Sequence, residues 1–445
     1  MNAAAPLLDS DARPATAAGW AQWLSAQEEV SKALYKTKPK LLIADYRREM
    51  EFSRDYEGRE ILELLQNASD AASDAGELGR VLISLTPASL VVANTGAPFT
   101  VGGVESLQTS NLSPKRRSQR PVIGSKGLGF RAVLNWSRSP IILSGGLGLA
   151  FDRDYAQQKL EELLRDNPEL GALIQREKLV PDELVVPALV FPGFNQKGDL
   201  MSLLKGKPSE AVLMSCAKLR SEGFATVIAM PFDRPRAFAH AKAQLAGLHP
   251  ELLLFVRSLS EISISEDGKP PKVWKREGSS NPVRVFVNGI PHHEWNTYTE
   301  TGKIPVEHLE DTSTQLEYEI IVAIPKRPMD KPVRLFSHFP TDINLPLSVV
   351  CRATLDLQQN RQHAHDNPAN RFVLLRLAGF LAQVVEDYGA AHPDNPWAAC
   401  DLLLRRGDFG SDLERVNFYD QLLGSSKSRA IIPTLDGSKR SVQHF

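Results

Sequence analysis

Three residues able to hold a metal ion or move a proton recur at helical spacing in ILELLQNASDAAS: Glu63, Asn67 and Asp70. Steps of four and three residues place their side chains on one face of a helix. Ile61, Leu62, Leu64, Leu65, Ala68 and Ala72 fill most of the remaining girth, so the helix is predicted to be buried. Acids and amides are costly to bury without partners. A buried helix that keeps such a stripe points to a ligand, a metal ion or a proton-transfer task. The asparagine offers a neutral oxygen of the kind Mg²⁺ takes while keeping several waters. The glutamate one turn away can polarise an attacking water, general-base help that contributes ~10²–10⁴-fold in rate.

Two further segments suit the same task. Asn94-Thr95-Gly96-Ala97-Pro98-Phe99 reads as a turn closing a strand, and Gly124-Ser125-Lys126-Gly127-Leu128-Gly129-Phe130 is a glycine-rich loop leading into an apolar helix through Val133 and Leu134. Glycines before a helix let backbone amides approach an anion, and the helix N-terminus adds its dipole, an arrangement suited to a triphosphate. No Gly-Lys-Ser/Thr follows, so the loop is not a P-loop. The basic residues Lys115, Arg116, Arg117 and Arg120 lie between the two segments and read either as a solvated loop or as a phosphate clamp. Each segment alone is a weak signal; their order and spacing make them a set.

Positioning these residues requires a mixed α and β framework. A helix is predicted from Ala18 to Tyr35 and another from Gly58 to Asp74, closed by Gly76. Val81, Ile83 and Leu85 alternate as a strand, and a second strand covers Leu90 to Ala93. Residues 99–122 read as a polar connection, Ile141–Ser144 and Leu147–Phe151 as strands, 154–180 as charged helix, and Ala225–Met230 as a buried strand. A helix from Arg236 to Leu245 then leads to strands at Glu261–Ser265, Val283–Val287 and Tyr318–Ile324, and to an amphipathic helix over Phe372–Tyr388. That order predicts an α+β protein with a second α+β domain. Ile431-Ile432-Pro433-Thr434-Leu435-Asp436-Gly437 reads as the entry to further folded structure.

The three segments together resemble the GHKL superfamily of ATPases: gyrase B, the ninety-kilodalton heat-shock chaperones, sensor histidine kinases and MutL. Glu63-Leu64-Leu65-Gln66-Asn67-Ala68-Ser69-Asp70-Ala71 is similar to the N-box of the heat-shock chaperones, Asn94-Thr95-Gly96 stands at the first glycine motif, and residues 124–130 match the second. Asp55-Tyr56-Glu57-Gly58-Arg59, Pro340-Thr341-Asp342 and Pro346-Leu347 resemble the sacsin-type bacterial ATP-binding proteins. The resemblance covers residues 45–375. It implies a Bergerat-fold α/β sandwich, a mixed sheet with helices on one face, and a transducer-like domain.

The implied boundaries are an N-terminal arm over 1–45, an ATP-binding domain over 46–240, a transducer over 241–375 and a helical segment over 376–445. The implied cofactors are ATP and Mg²⁺. Glu63 would activate water and Asn67 would hold the metal. Asp70, Asn94, Gly96, Lys115, Gly124, Lys126, Gly127, Leu128, Gly129 and Phe130 would line the nucleotide site beneath a lid formed by residues 100–123. Leu355-Asp356-Leu357-Gln358-Gln359-Asn360-Arg361 resembles the loop that sends an arginine to the γ-phosphate, a task suited to a forked, permanently charged donor. Asn94 stands where the family usually carries aspartate; its amide oxygen still accepts a hydrogen bond, without the charge. Pro98 replaces a usual glycine and stiffens the start of the lid. Relatives dimerise when ATP closes the lid, which implies a nucleotide-dependent homodimer, with the arm carrying Trp20 and Trp23 exchanged between protomers. A client or effector protein, and a bacterial defence or stress setting, are further implications.

Composition narrows the alternatives. The formal net charge of −1 gives no case for general nucleic-acid binding. Cys216, Cys351 and Cys400 are scattered and odd in number, against a disulfide framework or a cysteine zinc site. The N-terminal sequence lacks a basic segment followed by an apolar core, and no apolar run approaches the ~20 residues that span a bilayer. The expectation is a cytoplasmic protein without a membrane contact. His363, His365 and Asp366 sit in a polar loop and read as surface residues; His292-His293 makes a weaker case for a metal still. A nucleotide-sensing scaffold without turnover and a DNA-processing ATPase of the MutL or gyrase B type are the competing readings.

Overall fold

The computed structural model describes residues 8–55, 58–108, 129–165, 167–177, 185–194, 200–207, 209–278, 281–310, 316–327, 329, 334–358, 361–435 and 437–444. They fall into two units, Met1–Leu248 with Ser258–Val273, and His249–Arg257 with Trp274–Phe445.

The first unit begins with α1 (Ala17–Thr37), where Thr16 Oγ1 accepts from the Gly19 N–H at 3.2 Å and so caps the helix. Its inner face carries Trp20, Trp23, Leu24 and Tyr35. After α2 (Pro39–Asp55), α3 (Glu60–Ala75) stops at Gly76, which takes φ +69° and donates to the carbonyls of Ala72 and Ser73. This is the left-handed glycine close expected from the sequence. Next come β1 (Gly79–Thr86), β2 (Ser89–Asn94), α4 (Val101–Gln108), a 3₁₀ turn over Gly129–Asn135, β3 (Ile141–Ser144), β4 (Leu147–Ala150), α5 (Arg153–Arg165), α6 (Pro168–Arg176), α7 (Leu200–Leu204), α8 (Ser209–Ser221), β5 (Thr226–Pro231), α9 (Ala237–Ala246) and β6 (Leu259–Glu266).

The strands of this unit lie in the order β6-β1-β2-β5-β3-β4. β1 and β6 are parallel and the other pairs antiparallel, so the sheet is mixed and the class α+β. Register puts Ile83, Val92, Ile228 and Ile142 in one row. That row faces α3, because an added Cβ on Gly79, which shares the face of Val81 and Ile83, would come 2.7 Å from Ala72 Cβ. On the other face, Val91, Ala93, Ile141, Val227 and Ala229 pack against Leu200, Leu204, Val212, Leu213 and Cys216 from α7 and α8. This second helical layer adds to the one-sided arrangement expected from the sequence. It explains why β2 and β5 read as unbroken apolar runs rather than alternating ones.

Three local outcomes differ from the sequence expectations. The stretch read as a polar connection opens with α4, whose first donors are taken up by the chain itself: Val101 N–H to Ala12 O (2.9 Å) and Gly102 N–H to Ser10 O (2.8 Å). The segment through Val133 and Leu134, expected as an apolar helix, is instead a 3₁₀ turn over Gly129–Asn135. The charged region 154–180 breaks at Asn167-Pro168, where Asn167 caps α6 and the proline occupies its first turn.

The second unit contains α10 (Leu252–Phe255), β7 (Lys272–Glu277), β8 (Val283–Val287), β9 (Ile290–Lys303), β10 (Glu317–Pro325), β11 (Arg334–Phe336), β12 (Pro340–Asn344), β13 (Val350–Ala353), α11 (Pro368–Ala391), α12 (Ala398–Leu403), α13 (Ser411–Glu414), α14 (Phe418–Ser426), β14 (Ile432–Pro433) and β15 (Lys439–Arg440). Its main strands run β7-β8-β9-β10-β13-β11-β12. Ile320, Val322 and Ile324 of β10 share a core with Val373, Leu377, Leu381 and Val384 of α11. Asn367 caps that helix, accepting from the Asn370 N–H at 2.8 Å, with Pro368 in the first turn. The segment read as an entry to further structure forms a two-stranded ribbon, β14 with β15.

Candidate functional site

α3 is the spine of the site. Glu63 and Asp70 are buried on it and Asn67 is half-buried. The stripe begins one turn earlier than the sequence reading placed it, at Glu60, which is 0% exposed. Glu60 accepts from the Gly58 N–H (3.0 Å), from Asn135 Nδ2 (3.4 Å) and from Gln244 Nε2. Gln244 Oε1 in turn accepts from the Ile61 N–H at 3.2 Å. Burial pushes the Glu60 carboxyl above its ordinary range, and these donors pull it back only in part. Glu60 therefore ties the start of α3 to α9 and to the 3₁₀ turn that follows the glycine loop. Its signal in the sequence was its place three residues before Glu63 on the same helical face.

The Asn94 turn docks farther along the same helix. Thr95 fastens it to β1, donating its N–H to Arg80 O (3.0 Å) and accepting the Arg80 N–H at Oγ1 (2.9 Å). Gly96 then takes φ +109°, and the Ala97 N–H donates to Ala71 O at 2.8 Å. A Cβ on Gly96 would stand 2.7 Å from the carbonyl carbon and oxygen of Ala71, so only glycine allows this approach. The turn thus rests on the α3 backbone at the residue after Asp70. Asn94 Nδ2 donates to Thr95 O at 2.8 Å, which fixes the orientation of the amide and leaves Oδ1 as its acceptor end.

Asn94 also belongs to a row the sequence reading did not single out. Register sets it beside Thr226 of β5, and Thr226 beside Ser144 of β3, all three buried on the α3 side of the sheet. Ser144 Oγ lies 2.6 Å from Thr226 Oγ1 and accepts the Phe99 N–H at 2.9 Å. The signal was present in the sequence: three apolar strand runs each carry one polar residue at the end that antiparallel pairing brings together.

Of the glycine segment, Gly124, Lys126, Gly127 and Leu128 lie outside the described residues, as do Lys115, Arg116, Arg117 and Arg120. Its exit is described. Gly129 opens the 3₁₀ turn, and Phe130 is buried with its ring 5.5 Å from that of Phe151. Asn135 closes the turn against Glu60.

Arg361 belongs to the second unit. It adopts φ +54° and its N–H donates to Gln358 O at 2.8 Å. Burial, the Arg352 guanidinium and the charge of Arg361 hold the His338 imidazole at about 3, so it is neutral and meets Arg352 Nη2 through Nδ1 at 2.8 Å. His363, His365 and Asp366 do not gather around one point. His363 Nδ1 pairs with the buried Asp412 at 2.9 Å, and Asp366 pairs with Arg371 at 2.9 Å. Among the described residues, no helix is long and apolar enough to cross a membrane.

No protein-family pattern matches the chain. Over 206 residues it is 28% identical to Protein NO VEIN of Arabidopsis thaliana, a similarity that takes in 45% of this chain and 6% of that protein. The chain thus spans a small part of the length of that relative.

Proposed function

We propose that this chain binds Mg-ATP in the manner of the GHKL ATPases, hydrolyses it and acts as a nucleotide-driven switch of the sacsin-like kind. The observation that carries the reading is the convergence on α3. The exit of the glycine segment is tied to its start through Glu60 and Asn135. The Asn94 turn is seated on its backbone at Ala71. Glu63, Asn67 and Asp70 lie on the turns between these attachments. Segments more than twenty residues apart in sequence thereby surround one polar stripe.

The donor set suits the proposed cofactors. Beyond Glu60 the stripe offers two carboxylates and an amide, whose oxygens are the ligand type that Mg²⁺ prefers. Asn67 would hold the metal and Glu63 would orient the attacking water. Asn94 keeps an oriented acceptor for an adenine amine, and the Thr226 and Ser144 hydroxyls extend the polar floor. The glycine loop would cradle the phosphates, with residues 100–123 as a lid, Arg361 as γ-phosphate sensor, and closure driving dimerisation and action on a client. The partial similarity to Protein NO VEIN supports a relationship over 206 residues without assigning an activity.

The second reading, a nucleotide-sensing scaffold without turnover, is favoured by one observation: the amide at Asn94 lacks the charge of the usual aspartate. Calorimetric titration with ATP, GTP and ADP, with and without Mg²⁺, tests binding, and Glu63→Ala separates the two readings. The switch loses turnover and keeps ATP binding; the scaffold has no turnover to lose. Absence of binding by any of the three nucleotides refutes both.

A further inference from the structure

We propose that Glu251, His292 and His293 form a binding site for one divalent transition-metal ion of the zinc class. The site lies wholly in the second unit and owes nothing to the nucleotide reading.

Adjacent residues of a regular strand point to opposite faces, so two neighbouring histidines do not ordinarily share a ligand. Here the strand is irregular at that point. Val285 of β8 pairs with His293, but the next residue, Phe286, pairs with Pro291. His292 is therefore the extra residue of a β-bulge, the device that bends a strand and re-aims a side chain. The two imidazole rings come to 4.6 Å between centroids at 77°. Glu251, immediately before α10, supplies the third group, because α10 packs against β8. Its Oε1 is 3.6 Å from His292 Nε2. One donor atom from each of the three residues lies within 4.8 Å of the others.

Two imidazoles and one carboxylate are the three-ligand set of an open zinc site, with water completing the tetrahedron. Zinc–ligand bonds of ~2.0 Å set donor separations of about 3.3 Å. The Glu251–His292 spacing is already close to this, and the donors as a set lie within 4.8 Å of one another, within reach of small side-chain rotations. The bulge brings the second histidine, whose ring also lies 5.5 Å from that of Trp295, to the Glu251–His292 pair and so supplies the third ligand a metal takes. Glu251 and His293 are half-buried, so the ion is seated at the surface with room for water or a further ligand.

The test uses the full chain free of any histidine tag. Co²⁺ is titrated and followed by its visible absorption, and Zn²⁺ is titrated by calorimetry and by displacement of Co²⁺. One equivalent bound, with the intense absorption of tetrahedral cobalt, is expected. His292→Ala and Glu251→Gln, each checked for folding by circular dichroism, are expected to weaken binding by more than the ~10–100-fold that loss of an outer-shell partner costs. Failure of the parent chain to take up either ion at micromolar concentration overturns the proposal. So does uptake by folded variants that equals the parent's.

Discussion

Replacing Gly96 by alanine isolates the contact on which the nucleotide reading depends. Two costs arise at that position. The backbone stands at φ +109°, outside the region open to L-residues, a strain of about 1–3 kcal/mol. The new methyl would also lie 2.7 Å from Ala71 C and O and 2.8 Å from Ala72 N, all helix backbone that cannot rotate away. Forcing such an overlap costs about 1–3 kcal/mol more. The sum is about 2–6 kcal/mol, relieved only if the turn lifts from α3. Gly76→Ala is the matched control. It too has a left-handed backbone, at φ +69°, but nothing lies within 4 Å of its added methyl. Its cost is therefore the conformational one alone, about 1–2 kcal/mol. Urea unfolding of both variants by circular dichroism gives the difference, and calorimetry gives the ATP affinity. Gly96→Ala should be the more destabilised by at least ~1 kcal/mol and should lose more than ~tenfold in ATP affinity, while Gly76→Ala binds as the parent does. Equal destabilisation of the two would refute the docking geometry. A destabilised Gly96→Ala that binds ATP normally would refute its role in the site.

Two further outcomes follow from the buried polar groups. Thr226→Val keeps the volume but removes the hydroxyl beside Ser144; a melting-point drop corresponding to about 1–3 kcal/mol is expected, and an unchanged melting temperature would show that the polar row carries no weight. Glu28 on α1 sets a pH limit. Burial raises its carboxyl pKa, but hydrogen bonds from Lys32, Tyr155 and Lys159 outweigh that and hold it below 4.5. The folded state then binds fewer protons than the unfolded chain, so this stabilisation is present above about pH 4.5 and is lost as pH falls through the folded value. Melting curves from ~pH 6 to 3 should steepen in the parent and flatten in Glu28→Gln; parallel curves would remove Glu28 as the cause.

Local elements were read most accurately where a single residue type decided the geometry. Gly76 closing α3 and the alternation of β1 needed no tertiary information. The polar stripe on α3 was legible because helical spacing is short-range, yet its first member was passed over. Glu60 looks like an ordinary first-turn acid until α9 brings Gln244 to it from 184 residues away. The row of Asn94, Thr226 and Ser144 was hidden for the same reason: strand order joins residues up to 132 positions apart, and no local pattern encodes strand order. The second helical layer was concealed because α8 shows little contrast between its faces, while the continuous apolar runs of β2 and β5 carried its trace. The His292 bulge was invisible because a one-residue register shift leaves no compositional mark.

In the proposed function the chemistry falls to Glu63 because Glu60 already has a structural task. Both lie on the same face of α3 and both are buried. Glu60 is committed to the protein: a backbone amide and two side-chain amides donate to it, and through Gln244 it also orders the first turn of its own helix. An acid so engaged is a positioning residue, since turning it toward a substrate would leave Asn135 and Gln244 to find new acceptors in a buried site. Glu63 stands one turn on, nearer the seat of the Asn94 turn and one turn from the amide of Asn67. The first acid anchors the helix to the exit of the glycine segment, and the next acid and amide lie between that anchor and the seat of the Asn94 turn at Ala71. Glu60 also shows how so apolar a helix carries a polar group at its buried face: protein donors offset the cost of burying it.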